Sequence, residues 1–261
     1  LLPVRRDCPF FVASIKETSV QKMKRGVILY DFLLCRGGAE QVSIDLARGI
    51  PGTEICVAFR NRKVFTDDEL GGIPCRELNR IWREDIALWR TWSGLRTFSK
   101  DHPFLKAYDW ALFSGSNAPV AVRSRPGRNN YYYCHTIPRF CYDLKEYYLG
   151  SLPGWKRPLF NMFSNYVRSH FEQAMQGMDK VVANSRNVQE RLSHHLGIDS
   201  EVVYPPCNTT AYSWQGQGNY YLSTARLQRY KRVDLIIEAC LRMPHRKLVV
   251  ASGGSDEKRL K

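Results

Sequence analysis

The sequence has no run of about 18 apolar residues, the length that a membrane-spanning helix requires, and no evident signal peptide. It has no CxxC pair, so neither a zinc ribbon nor a thiol–disulfide redox motif is supported. No RRM, zinc-finger or helix-turn-helix pattern occurs. Acidic residues are scarce: 25 Asp and Glu stand against 39 Lys and Arg, a net charge of +14 at pH 7. Such an excess is attracted to phosphate in some form, whether nucleic acid, anionic lipid or a phosphorylated substrate. Solubility alone is the plainer explanation, but six Trp and 14 Tyr point to a surface that does more than stay dissolved.

Hydrophobic residues make up 44% of the 261, enough for a packed core and unlike a disordered chain. The eight cysteines, at 8, 35, 56, 75, 134, 141, 207 and 240, read as small core residues in a reducing cytoplasm. The first residue is Leu1, and Met23-Lys24-Arg25 directly precedes the first convincing strand. Residues 1–22 are therefore set apart as an extension.

Gly26-Val27-Ile28-Leu29-Tyr30 has the apolar, β-branched content of a buried strand. A loop ending in Arg36-Gly37-Gly38 follows, then a helix in which Val42, Leu46 and Ile50 recur every four residues. Ile55, Val57 and Phe59 form the next strand, which completes a βαβ unit and announces a parallel α/β sheet. Further strands are expected at Trp110–Ser114, Asn130–His135, Lys180–Ser185 and Glu201–Tyr204, with a helix carrying Val188, Leu192 and Leu196. The polar segment 208–218 reads as a linker. A fresh βαβ begins at Tyr220–Ser223, continues through a helix with Val233, Ile236, Ile237 and Cys240, and reaches a strand at Lys247–Ala251. Ser255 or Asp256 is placed to cap a last helix starting at Glu257.

Three motifs carry chemistry. Gly37 and Gly38 open a helix whose first amides can face an anion, and glycine lets a ligand approach the backbone, although a Gly-Gly turn also has this form. Tyr133-Cys134-His135-Thr136-Ile137-Pro138-Arg139 delivers a histidine at the C-terminal end of a strand, where open α/β sheets bind ligands, with a cation four residues on. A histidine bonded within the core is the alternative. Ala225-Arg226-Leu227-Gln228-Arg229-Tyr230-Lys231-Arg232 places four cations at a strand–helix junction, which suits a diphosphate as well as a solvated basic loop.

Taken in order, Arg36-Gly37-Gly38-Ala39-Glu40, the His135 segment, Val182-Ala183-Asn184-Ser185, Val203-Tyr204-Pro205-Pro206 and Ala225-Arg226-Leu227 with Arg232-Val233-Asp234 resemble the retaining, GT-B-fold glycosyltransferases of family 4. The stretch from His135 through Tyr142-Asp143 is most similar to bacterial mannosyltransferases of polysaccharide and O-antigen assembly. The resemblance implies an N-terminal, acceptor-side Rossmann-like domain over 23–207 and the incomplete start of a C-terminal nucleotide-sugar-binding domain over 219–261. It implies that Arg226 and Lys231 hold the donor diphosphate, that Gly37 and Gly38 admit the phosphate or sugar, and that His135 acts catalytically beside the reacting carbon. Arg139, Asn184 and Ser185 are the implied acceptor or sugar contacts. The donor would be GDP-mannose or another nucleotide-diphosphate sugar, with no cofactor or metal. The acceptor would be a glycan or a polyprenyl-diphosphate-linked species. The family's paired glutamates fall beyond residue 261, since Glu238 and Glu257 come too early, so a half-built donor site with poor turnover is expected of this stretch.

Two segments suggest a lipid surface. Residues 80–98 read as a basic amphipathic helix with Ile81, Leu88, Trp92 and Leu95 on one face, and residues 140–171 are rich in aromatics and cations. Core packing of these aromatics is the alternative. A cytoplasmic protein, peripheral on the inner face of the plasma membrane, is the expected setting. A non-catalytic relative acting as a scaffold, and a basic nucleic-acid-binding protein, are the competing readings; no nucleic-acid partner is expected.

Overall fold

The computed structural model describes residues 25–80, 86–127, 129–207, 209 and 212–261. The chain forms two compact units that divide after Pro206. The expected α/β class is what forms. In the first unit seven strands make one sheet in the order β3-β2-β1-β4-β5-β6-β7, every neighbouring pair parallel. The strands are β1 Gly26–Leu33, β2 Thr53–Arg60, β3 Cys75–Glu77, β4 Trp110–Ser114, β5 Asn129–Cys134, β6 Lys180–Ala183 and β7 Glu201–Val202. The helices are α1 Gly38–Gly49, α2 Asp67–Leu70, α3 Ala87–Phe98, α4 Lys145–Ser151, α5 Arg157–Met175 and α6 Arg186–Leu196.

The central strands are apolar at nearly every position because both sheet faces are covered. Side chains alternate between two cores with the strand period of two. Val27, Leu29, Cys56, Ala58, Phe113 and Tyr132 enter one core, which α3, α5 and α6 close with Leu95, Phe171 and Leu192. Ile28, Tyr30, Ile55, Val57, Leu112 and Tyr133 enter the other, which α1 closes with Val42, Ile44 and Ala47.

Several sequence expectations shift. β1 runs on to Leu33 through Asp31, a charged residue within an apolar run. The edge strand β3 escapes periodicity because it has three residues, only one of them apolar. Of the helix read over 80–98, residues 81–85 lie outside the described residues; α3 begins at Ala87, and it turns Leu95 and Phe98 into the core while Leu88 stays exposed. Of the stripe named above, Leu95 is buried, Trp92 half-buried and Leu88 exposed. The cysteines are mixed: Cys56, Cys134 and Cys141 are buried, but Cys35 and Cys207 are exposed, because both sit in loops rather than in the apolar runs. The 1–22 extension and parts of the 208–218 linker lie outside the described residues.

In the second unit β8 Tyr220–Ser223 pairs in parallel with β9 Lys247–Val250, joined through α7 Val233–Leu241, with α8 Glu257–Leu260 last. Asp256 stands at the start of α8 but makes no capping bond; its carboxylate instead takes Arg259 at 2.6 Å.

Candidate active site

Because all strands of the first sheet are parallel, every C-terminal end lies on one edge. The chain steps from β1 outward to β2 and β3, then returns to the opposite side of β1 as β4. The crevice of such a sheet opens where the direction reverses, between the ends of β1 and β4. The start of α1, the turn after β4, His135 after β5, and Asn184 and Ser185 after β6 all belong to this edge.

Near the end of β1, Asp31 is buried and accepts three backbone N–H groups from the turn after β4: Ser116 at 2.7 Å, Asn117 at 2.8 Å and Ala118 at 2.7 Å. Burial outweighs these donors and raises its carboxyl from 3.8 to about 6. Gly115, at φ +95°, is the residue that lets this turn form; a Cβ there would sit 2.5 Å from the Asp31 carboxyl carbon.

Tyr30 connects the glycine loop to the histidine. Burial, and after it the nearby Glu40 carboxylate in the first turn of α1, push the Tyr30 hydroxyl pKa up. Its ring lies edge-on to His135, centroids 6.5 Å apart, and Tyr133 also packs edge-on to His135, at 5.1 Å. Tyr133 is itself anchored by its hydroxyl to the Val203 carbonyl at 2.8 Å. Gly37 caps α1 without a side-chain bond, and a Cβ on it would meet Glu40 Oε2 at 2.4 Å. A Cβ on Gly38 would meet nothing within 4 Å, so this backbone is open to a ligand.

Between aromatic rings, the His135 ring is largely desolvated, and burial lowers its pKa from 6.5 to about 4. The imidazole is neutral at pH 7 and presents hydrogen-bonding nitrogens, not a charge. Its Nε2 and the neighbouring Thr136 Oγ1 are buried polar atoms without a partner among the described residues. Such atoms are costly to leave unpaired, and they are satisfied when a ligand supplies the partner. Because the folded pKa lies below the unfolded one, the stability this histidine contributes is complete above pH 6.5 and is lost as pH falls from there through about 4. The difference in unfolding free energy between the wild type and His135→Gln is expected to change across that window and to be flat above it. A difference independent of pH would refute the burial argument.

The remaining residues fall into place differently. Arg139 is not a cation waiting for substrate: its guanidinium grips Asp143 at 2.6–3.1 Å, and Arg191 approaches the same carboxylate at 3.5 Å. Ser185 caps α6 by accepting from Val188 N–H at 3.4 Å and donates to Asn184 Oδ1 at 3.0 Å. Asn184 N–H bonds the Cys134 carbonyl at 3.0 Å, which ties the end of β5 beneath His135 to β6. These three residues shape the edge around the histidine. Arg226 and Lys231 belong to the second unit, in the loop from β8 to α7. Both are exposed, and among the described residues no acidic side chain pairs with either.

Tyr30, Asp31, Glu40, Gly115 and Thr136 are the site residues that sequence reading misses. The available signal was a charge embedded in Leu29-Tyr30-Asp31-Phe32-Leu33 and a Ser114-Gly115-Ser116-Asn117 turn after a strand. Two other concavities, one lined by Met178, Lys180 and Glu201 and one by Arg25, Gly52 and Pro74, open at strand starts on the opposite edge, away from these groups.

No curated protein matches the chain. The family model of Glycosyltransferase Family 4 matches residues 36–211, about two thirds of the chain, a span that holds Gly37, Gly38, His135, Arg139, Asn184 and Ser185 but not Arg226 or Lys231. With that match over a parallel α/β sheet of Rossmann type, the chain belongs to Glycosyltransferase Family 4.

Proposed function

We propose that the protein transfers a hexose, mannose, from a nucleotide-diphosphate sugar to a lipid-linked or polysaccharide acceptor with retention of configuration. The observation that carries this reading is His135 Nε2: buried, neutral, unpartnered among the described residues, and on the same sheet edge as the open glycine start of α1. A neutral imidazole can hydrogen-bond a sugar hydroxyl near the reacting carbon without repelling an oxocarbenium-like centre. The amides at Gly37 and Gly38 favour an anionic group by their orientation and by the helix dipole. On this reading Arg226 and Lys231 meet the donor diphosphate and stabilise the charge that grows on it as it leaves. Front-face attack by the acceptor hydroxyl then needs no enzyme carboxylate as nucleophile, in contrast to the two-carboxylate glycosidases. The reading calls for no metal or cofactor.

A thermal-shift panel of nucleotide sugars, followed by transfer assays with polyprenyl-diphosphate-linked and glycan acceptors, tests it. Stabilisation by GDP-mannose above other nucleotide sugars and above GDP, with labelled mannose appearing on an acceptor, is the expected outcome. Stabilisation by a different nucleotide sugar would overturn the mannose assignment. Donor binding with no transfer to any acceptor would favour the scaffold reading.

A further inference from the structure

The α4–α5 region presents a surface that the transfer reading does not use. α5 leaves the C-terminal edge of the sheet and returns to the start of β6, so its first turns lie on the edge that carries His135. Its inner face is anchored: Phe160 is buried against Phe140, Ser164 Oγ bonds the Phe140 carbonyl at 3.3 Å, and Phe171 packs on Tyr132. The opposite face is apolar and uncovered. Trp155 is 77% exposed, Leu159 62%, Met162 66% and Tyr166 48%. Leu159, Met162 and Tyr166, spaced three and four residues apart, share one face of α5 over about 10 Å at the helical rise, and Trp155 stands exposed in the short turn just before the helix. Tyr147 and Tyr148 of α4 are exposed beside the same segment.

The charges along this row have one sign. No Asp or Glu occurs from Tyr147 to Phe171, while Lys156 and Arg157 stand next to Trp155, and Lys156 Nζ lies 4.9 Å from the Trp155 ring centroid. The flanking acids Asp143 and Glu172 are already taken by Arg139 and by Arg168, and Glu146 is exposed at the margin. A row of Trp, Leu, Met and Tyr rimmed by cations matches the two layers of an anionic bilayer: acyl chains for the apolar row, headgroup phosphates for the cations. A second copy of the chain is a poorer occupant, because it would bring the same cations face to face. We infer that Trp155 and the Leu159–Met162–Tyr166 face of α5 dock the protein on an anionic lipid surface. The inference stands on this surface alone. It also places the His135 edge near the headgroup layer, where a lipid-linked acceptor presents its diphosphate.

Flotation of the full chain with vesicles of phosphatidylglycerol in phosphatidylcholine, beside vesicles of phosphatidylcholine alone, tests it. The wild type is expected to float with the anionic vesicles and to lose affinity as salt rises. The triple change Trp155→Ser, Leu159→Ser, Met162→Ser is expected to weaken binding by about tenfold or more at an unchanged unfolding temperature, since all three side chains are exposed. Lys156→Glu with Arg157→Glu should remove most of the salt-dependent part. Trp155 fluorescence, taken as wild type minus Trp155→Phe, should shift to the blue and be quenched by brominated lipid. Binding by the triple variant equal to wild type would overturn the assignment, as would no wild-type binding at low salt. A wild-type dimer that the triple change dissolves, with no vesicle binding by either, would replace it with a self-association face.

Discussion

Replacing His135 by alanine is expected to reduce kcat for sugar transfer by about 100-fold or more, the scale seen when one preorganised hydrogen-bond donor is removed from a reacting centre. The fold should survive. His135 Nε2 has no partner within the described structure, so the alanine strands no buried group; the loss is confined to edge contacts with Tyr30 and Tyr133. His135→Gln, which keeps a polar nitrogen near the same place, should recover part of the rate. Because burial lowers the imidazole to about 4, the wild-type rate should show no inflection from this residue between pH 6 and 8. Comparing kcat, KM and the unfolding temperature of the three proteins checks this. An alanine variant with wild-type kcat, or one that fails to fold, would remove His135 from its assigned role.

The largest effect on stability is expected at Gly115. Gly115→Ala is predicted to lower the unfolding free energy by about 3–5 kcal/mol, from two separable causes. At φ +95° an L side chain is strained, at roughly 1–3 kcal/mol. The new Cβ would also lie 2.5 Å from the Asp31 carboxyl carbon and must push that group off its amide donors at positions 116–118. Hydrogen bonds to a charged group are worth about 1.5–3 kcal/mol, and here the group is buried. Asp31→Asn in the Gly115→Ala background separates the causes: if the carboxylate contact matters, the two changes are not additive. Urea unfolding measures both. A loss below about 1 kcal/mol for the single change would show that the turn relaxes around the added methyl.

Both predictions rest on the same few residues, and they were unequally legible. His135 and the Gly37-Gly38 pair could be found because their signals are local: a strand that ends on a histidine, and two glycines before a helix. Asp31 and Gly115 could not, because they are 84 positions apart and meet only when β4 is laid beside β1. The Tyr30–His135 contact likewise depends on the sheet order, which seats β4 between the strands that carry them. Arg139 stands out in the sequence as a cation four residues after His135, but that Asp143 neutralises it is a matter of the turn that brings the carboxylate within 2.6 Å. Apolar stripes were the least decidable feature. The stripe of α3 buries Leu95 and Phe98, whereas that of α5 leaves Leu159 and Met162 outside, and periodicity is the same whether a face meets a neighbour or solvent.

By itself, then, the sequence determined the α/β class, the parallel strands, and the histidine and glycines at strand ends, because strand and helix periods and turn residues act over a few positions. The tertiary structure alone decided which groups share the crevice, which cations are already neutralised, and which apolar face is left exposed among the described residues. Those outcomes depend on contacts between segments distant in the chain, and on whether a side chain at the end of its strand is desolvated by rings it meets only after the sheet has closed around it.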